Sequence, residues 1–350
     1  MTEKKTVIGI TIGDYNGVSL EILLQAFGQQ TMLKYMTPVV YASEKLLTKY
    51  LKNNNIEEQI FHYTHHIQGI KPEALNVVNC WNEDYELHLG TPTAESGKCA
   101  VISLNRAVAD LKEGKTDALC TLPIDKHNVK NNEFNFIGHT EYLQHKFQAK
   151  DVLMFMVSDE VRIAVVSMHV PVNKIDNDIT EHQIKSKLDL MLASLKIDFN
   201  ITKPKIAVIG LNPHAGDSGE IGTQDRDILT PIITAYKNNG HIVMGPFASD
   251  GFFGSGQYTK YDAVLCMYHD QGLIPFKMIS FETGVNFTAG LPVVRTSPDH
   301  GTAFDIAGKN MVSSSSFQCA LFTACDIVKN RAENKYYETH ALKPTHHKGE

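Results

Sequence analysis

Three histidines, His169, His214 and His269, each follow an apolar, β-rich run: Val161 to Ser167, Lys205 to Gly210 and Ala263 to Met267. If those runs are strands of an open α/β sheet, all three imidazoles stand just past carboxyl ends, where such sheets place their sites. Imidazole suits Zn²⁺, Co²⁺ or Ni²⁺ better than Mg²⁺, and three protein ligands leave a coordination position open for a substrate. Taken singly, each histidine is more often a hydrogen-bonded structural residue, and the spacing matches no local metal motif. The shared placement is what favours a metal centre. His65-His66 and His346-His347 lie in polar, irregular segments and read as solvated pairs.

A second set, His139, Thr140, Lys277, Asn286 and Arg295, mixes cationic groups with neutral hydrogen-bond donors. Phosphate is the natural guest. Arg offers a planar fork, Lys a compact charge, and Thr140 a hydroxyl at the start of the helix expected up to Phe147. A lone surface Lys or Arg is usually no more than a solvated ion pair. Here Arg295 follows LPVV and Lys277 follows IPF, so both emerge from apolar surroundings. A third stretch, HGTAFDIAG from His300 to Gly308, pairs glycines that permit close backbone approach with the polar Thr302 and Asp305. No GxGxxG follows a strand, which disfavours a standard Rossmann phosphate turn.

These groups need elements to hold them. Thr6 to Ile12 reads as a first strand, GDYNG as its turn, and Ser19 to Phe27 as the helix that follows. Pro38 to Ala42 is a second strand, with Ser43 as N-cap of the next helix. The region from Asn53 to Glu86 shows no regular pattern. Thr93 caps a helix whose apolar positions Val101, Leu104, Val108 and Leu111 recur by three and four, ending at Gly114. Asp117 to Leu122 is the next strand. Val152 to Val157 and Val161 to Ser167, joined by Ser158-Asp159-Glu160, read as an antiparallel hairpin. Helices over Glu181 to Leu195, Asp225 to Tyr236 and Gln318 to Lys329, and a strand from His241 to Met244, complete the pattern, with a loose polar tail from Glu333.

A chain of 350 residues, 43% hydrophobic, can bury a large core, usually divided into two domains. The expected architecture is α/β: two α/β/α domains with a mixed, mainly parallel sheet and a cleft between them. Residues 1–140 with 300–332 form the first domain, and residues 141–299 the second, which carries the histidines. A formal charge of −6 argues against nucleic acid as the main partner. No apolar run approaches the roughly 20 residues that cross a bilayer, and the amino terminus lacks a signal sequence, which places the chain in the cytoplasm. The six cysteines form no CxxC pair and read as reduced, mostly buried thiols.

Together the stretches IGHTEYL (Ile137 to Leu143), GLNPHAGDSGEIG (Gly210 to Gly222), MYHDQGLIPFK (Met267 to Lys277) and VNFTAGLPVVRTSPDHGTAFDIAGK (Val285 to Lys309) are highly specific. Through them the chain resembles the 4-hydroxythreonine-4-phosphate dehydrogenase family of the isocitrate/isopropylmalate dehydrogenase-like superfamily. The resemblance implies that His169, His214 and His269 bind a divalent metal, Zn²⁺ first and Co²⁺ or Mg²⁺ as alternatives. It implies that His139, Thr140, Lys277, Asn286 and Arg295 bind substrate, and that the turn with His300, Gly301, Thr302 and Asp305 binds NAD or NADP. It further implies a homodimer with active sites at the subunit interface, into which the partner's equivalent of Asp250 reaches.

The implied reaction is oxidation of 4-phosphooxy-L-threonine at C3 and decarboxylation to 3-amino-2-oxopropyl phosphate, in pyridoxal 5'-phosphate biosynthesis. Lys277 or Asp250 handles the proton. One departure stands out: GDYNGVSLEI replaces a family pattern close to GDPAGIGPEI. It leaves the finer substrate or cofactor preference open and keeps alive a related substrate such as threonate or erythronate 4-phosphate. A metal-free phosphate acyltransferase of the same superfamily and a non-catalytic binding module are the readings from other classes.

Overall fold

The computed structural model of the chain describes residues 5–56, 61–130 and 134–340. The first part comprises β1 (Thr6–Thr11), α1 (Ser19–Phe27), β2 (Met36–Ala42), α2 (Glu44–Asn53), β3 (Phe61–Thr64), β4 (Leu75–Asn79), α3 (Ala94–Lys112) and β5 (Ala118–Thr121). The middle comprises α4 (His139–Phe147), β6 (Leu153–Val157), β7 (Arg162–Ser167), α5 (Ile175–Asp178), α6 (Glu181–Ile197), β8 (Lys205–Ile209), α7 (Thr230–Asn238) and β9 (Ile242–Phe247). Last come α8 (Ser249–Gly254), β10 (Ala263–Tyr268), α9 (His269–Ser280), β11 (Val285–Ala289), β12 (Val294–Pro298) and α10 (Ser315–His340).

All the described strands join one sheet in the order β3-β4-β2-β1-β5-β12-β11-β6-β7-β10-β8-β9. Pairing is parallel except where β11 meets β6 and β12, and where β6 meets β7. The β6–β7 hairpin agrees with expectation. The sheet runs unbroken from the amino-terminal half into the middle half through β12, which is parallel to β5 on one side and antiparallel to β11 on the other.

Both faces of the central strands are covered, so they read as continuous apolar runs. Ile8 and Ile10 of β1, Leu153 and Phe155 of β6, and Leu265 and Met267 of β10 are all sealed from solvent. Each such side chain contributes about 1.5–3 kcal/mol relative to exposure. Helix α3 begins with a capping box in which the Ser96 N–H donates to Thr93 Oγ1 and the Thr93 N–H to Ser96 Oγ, both at 3.2 Å. Ser43 stands at the N-cap position of α2, but its hydroxyl makes no capping bond.

Three local expectations change. The stretch from Asn53 to Glu86 contains β3 and β4, whose mixed polar sequence hides them. The run β11–β12, interrupted by Gly290 and Pro292, pairs as strands. The polar segment from Glu333 continues α10 to His340, since that helix is anchored by Phe317, Ala320, Leu321, Ala324 and Ile327 on the sheet. The cysteines of the described chain are free thiols, three of them buried. Among the described residues no helix is long and apolar enough to cross a membrane.

Candidate active site

Neighbouring strands bring the first two histidines together. β7 and β10 are parallel neighbours in which Tyr268 is level with Ser167. His169 lies two residues beyond the end of β7 and His269 one beyond β10, so their rings stand 6.0 Å apart, centre to centre. Gln271 pins this corner: its side chain accepts from the Met267 N–H and donates to the Gly210 carbonyl, each at 2.7 Å. Asp270 Oδ1 sits 2.7 Å from His269 Nδ1, and Glu141 Oε1 is 4.0 Å from His169 Nδ1. Such carboxylates orient imidazoles and leave the other ring nitrogen available as a ligand. Burial, Lys126 and His269 lower the pKa of His169, which favours the neutral, ligating form.

His214 does not join them within one chain. It lies five residues past the end of β8, exposed, in a turn where His214, Ala215, Gly216, Asp217 and Ser218 all have left-handed φ. Two anchors hold the base of that turn. Asp225 accepts from the Leu211 and Asn212 N–H groups, and a Cβ on Gly210 would meet Asp225 Oδ1 at 2.8 Å. Among the described residues no three His, Cys, Asp or Glu side chains form a metal-holding group. The fit to a divalent cation is therefore two buttressed imidazoles from one chain with room for a further donor.

Beside this pair opens a cavity of about 720 Å³. Strand register builds its floor. Asn286 of β11 is level with Ser297 of β12 and Met156 of β6, and Thr288 is level with Met154. Because side chains alternate, Asn286, Met154, Met156, Ser297 and Arg295 share one face, and all line the cavity. His139 and Thr140, at the start of α4, form one wall, and Lys277 of α9 another. His300 and Gly301 contribute the rim.

Arg295 is the electrostatic centre. Only 3% exposed, its guanidinium donates to Thr121 Oγ1 from Nε (3.1 Å) and Nη2 (2.8 Å), and to Thr288 Oγ1 from Nη1 (3.0 Å). Its hydrogen-bond partners among the described residues are thus neutral hydroxyls, and no carboxylate pairs with it. Burial pushes its pKa down to about 10. The same burial, with Arg295 and Lys126 adding repulsion, holds His139 well below the usual imidazole range, so it is neutral. His139 Nε2, Asn286 Oδ1, Asp299 Oδ2 and His300 Nε2 are enclosed in the cavity wall without hydrogen-bond partners among the described residues. A buried cation and unsatisfied polar atoms are costly unless something completes them, and an oxyanion with hydroxyls around it would do so.

The remaining expected site residues lie outside the cavity of their own chain. Asp250, on α8, is exposed. Thr302 and Asp305 belong to the turn behind His300. The Thr302 carbonyl accepts from the Val18 N–H (3.0 Å), and a Cβ on Gly17 would strike it at 2.5 Å. Glu21, buried in α1, accepts from the Gly308 N–H and also from Asn310. The divergent GDYNG turn therefore packs against the 300–308 turn and does not line the substrate-sized cavity. The sequence reading did not single out Thr121, Glu141, Ser297 or Asp299. Glu141 and Asp299 were within reach, since each adjoins a residue already selected.

Fold and site together define an α/β enzyme whose cavity, at the ends of the central strands, is built for a small anionic molecule. Residues 34–324 match the family of the pyridoxal phosphate biosynthetic protein PdxA. The chain is 43% identical over 344 residues to the 4-hydroxythreonine-4-phosphate dehydrogenase of Bacteroides thetaiotaomicron, covering 98% of this chain and 94% of the relative. It is 34% identical to a Cutibacterium acnes protein provisionally named D-threonate 4-phosphate dehydrogenase, over 93% of this chain and 95% of that one. The crystal structure of 4-hydroxythreonine-4-phosphate dehydrogenase from Klebsiella pneumoniae superposes with a TM-score of 0.79 at 30% identity, covering 94% and 99% of the two chains. The chain belongs to the PdxA family. That membership sets aside the acyltransferase and non-catalytic readings.

Proposed function

We propose that the chain is an NAD(P)-dependent dehydrogenase that oxidises 4-phosphooxy-L-threonine at C3, the product losing CO₂ to give 3-amino-2-oxopropyl phosphate. The observation that carries this reading is the buried guanidinium of Arg295, hydrogen-bonded among the described residues to hydroxyls, in a cavity flanked by Lys277, His139 and the His169–His269 pair. Arg295 binds an oxyanion of the substrate, and the neutral His139 with Thr140 donates or accepts at its oxygens without adding to the charge there. Lys277 reaches the same space and supplies the proton-handling group, while Asn286 fixes a hydroxyl or carboxylate. Met154, Met156 and Leu273 give that space apolar walls, beside the rim at His300 and Gly301.

His169 and His269 would hold a divalent cation, Zn²⁺ by the preference of imidazole, with Asp270 and Glu141 as outer partners. The chemistry the two bound groups supply is Lewis acidity at the reacting oxygen and hydride acceptance by the nicotinamide. His300, Gly301, Thr302 and Asp305 of the 300–308 turn would hold the cofactor. The third ligand, His214, and the acid Asp250 are read as arriving from a second copy of the chain. A homodimer is supported by Ile274, Met278 and Phe281, which present an apolar stripe 58%, 82% and 69% exposed along and just past α9, the helix that His269 begins.

The runner-up substrate is D-threonate 4-phosphate, favoured by the Cutibacterium acnes relative. The test is NADH formation from each phosphorylated acid, with and without a chelator. Turnover of neither, or turnover indifferent to the chelator, rejects the reading.

A further inference from the structure

A buried side-chain amide joins the strand exit that carries His269 to the one that leads to His214. The backbone ladder between β8 and β10 ends with Leu265 level with Val208. Beyond it the two segments part, one running to His269 and the start of α9, the other to Gly210 and the turn that holds His214. Gln271, two residues past His269 and 9% exposed, bridges them. Its Oε1 accepts from the Met267 N–H and its Nε2 donates to the Gly210 carbonyl, each at 2.7 Å. Both ends of the amide are thus spent on backbone groups, and a buried amide bonded at both ends fixes the groups it joins.

Each end of the bridge is itself held firmly. A Cβ on Gly272 would meet side-chain atoms of Ile163 and Val165 of β7 at 3.0 Å, so the start of α9 is pressed against that strand. On the other side a Cβ on Gly210 would meet Cα and Cβ of Ala215 at 2.9 Å, so the turn rests directly on the residue that Gln271 holds. Asp225 gathers the same turn, its Oδ2 also accepting from Asn212 Nδ2 at 2.9 Å. With no slack at these contacts, a shift of Gly210 is passed on to the His214 turn.

Resting on the functional reading above, in which a cation is held by His169 and His269 of one copy and His214 of another, we propose that Gln271 is a positioning residue for the cation's ligands in both sites of a dimer. One amide fixes the His269 corner of its own site and, through Gly210, the turn that serves the other site. Without it the Met267 N–H and the Gly210 carbonyl, both in buried residues, lose these partners, and the two strand exits are free to settle apart.

The first measurement is the Zn²⁺ affinity of metal-free wild type and Gln271→Met, by competition with a chromophoric chelator. The variant should bind about tenfold more weakly. Gln271→Glu keeps the acceptor for the Met267 N–H but, as a carboxylate, has no donor for Gly210. It should weaken binding by a similar factor, and it serves if the Met variant does not fold. The second measurement uses a heterodimer isolated through two tags. One subunit carries His214→Ala and supplies only the histidine pair, while the other carries His169→Ala and supplies only His214, so a single complete site remains. Adding Gln271→Met to the His169→Ala subunit should weaken Zn²⁺ binding at that site about tenfold, although the substitution lies in the chain that lends no pair. An unchanged affinity there, as a role confined to α9 and His269 would give, overturns the proposal, as does wild-type affinity in the homodimeric variants. A wild type that binds no Zn²⁺, or a heterodimer without a site where wild type has one, rejects the reading of the metal centre and the inference with it.

Discussion

Replacing Arg295 with methionine is expected to strengthen the empty protein and destroy its activity. The guanidinium is buried, with its pKa pushed down to about 10. At about 1.4 kcal/mol per tenfold change in proton affinity, that displacement corresponds to about 3 kcal/mol of desolvation carried by the folded state. Against it stand the three bonds to Thr121 and Thr288, which are lost on substitution and leave two hydroxyls to find other partners. Those cost about 1–2 kcal/mol in total. Methionine fills a similar volume without a charge, so the ligand-free variant should gain about 1–2 kcal/mol. The measurement is urea unfolding of both proteins at equal protomer concentration in phosphate-free buffer, repeated with substrate. Wild type should gain stability from the substrate and the variant should not, while kcat/KM falls by about a thousandfold or more. An Arg295→Met protein less stable than wild type without ligand, or still stabilised by substrate, would refute the claim that Arg295 is an uncompensated charge awaiting an anion.

Other substitutions probe the rest of the site. His214→Ala and His169→Ala should each abolish chelator-sensitive turnover with the fold intact. If the third ligand comes from a second copy, randomly mixed subunits of the two variants should recover about a quarter of wild-type activity, because half of the dimers then hold one complete site of two. No recovery on mixing would mean that the ligands belong to one chain. Glu21→Ala, which removes the acceptor for the Gly308 N–H, should raise the KM for NAD(P) about tenfold and leave the substrate KM unchanged, with Glu21→Gln in between. Equal shifts in both constants would detach the 300–308 turn from cofactor binding. For His139 the folded pKa is depressed, so below the ordinary imidazole value the unfolded chain binds the extra proton and stability falls on acidification. Wild type should lose up to about 1.4 kcal/mol per pH unit more than His139→Gln below roughly pH 6.5, and parallel curves would show that the ring is not buried neutral.

What could be read in the sequence and what could not divide along one physical line. Positions dictated by strand ends were legible: His169 and His269 each follow an apolar run, and parallel neighbours with matched register must bring their exits together. Apolar periodicity found α3 and α6 for the same reason, since a helix that covers a sheet has to show one face to it. β11 and β12 escaped because Asn286, Arg295 and Ser297, which floor the cavity, and Thr288, which holds Arg295, interrupt the apolar pattern. Their polarity belongs to the site and masks the strand. His214 shows a different limit: its strand was found, but the ring lies five residues past the strand's end, at the head of a left-handed turn, and no local composition reports how far a loop travels. The same limit applies to the GDYNG turn, whose contact with Thr302 spans most of the chain. A departure there left both substrate and cofactor preference open, and the turn supports the segment behind His300. Its changes should therefore appear in cofactor affinity before they appear in the choice of phosphorylated acid.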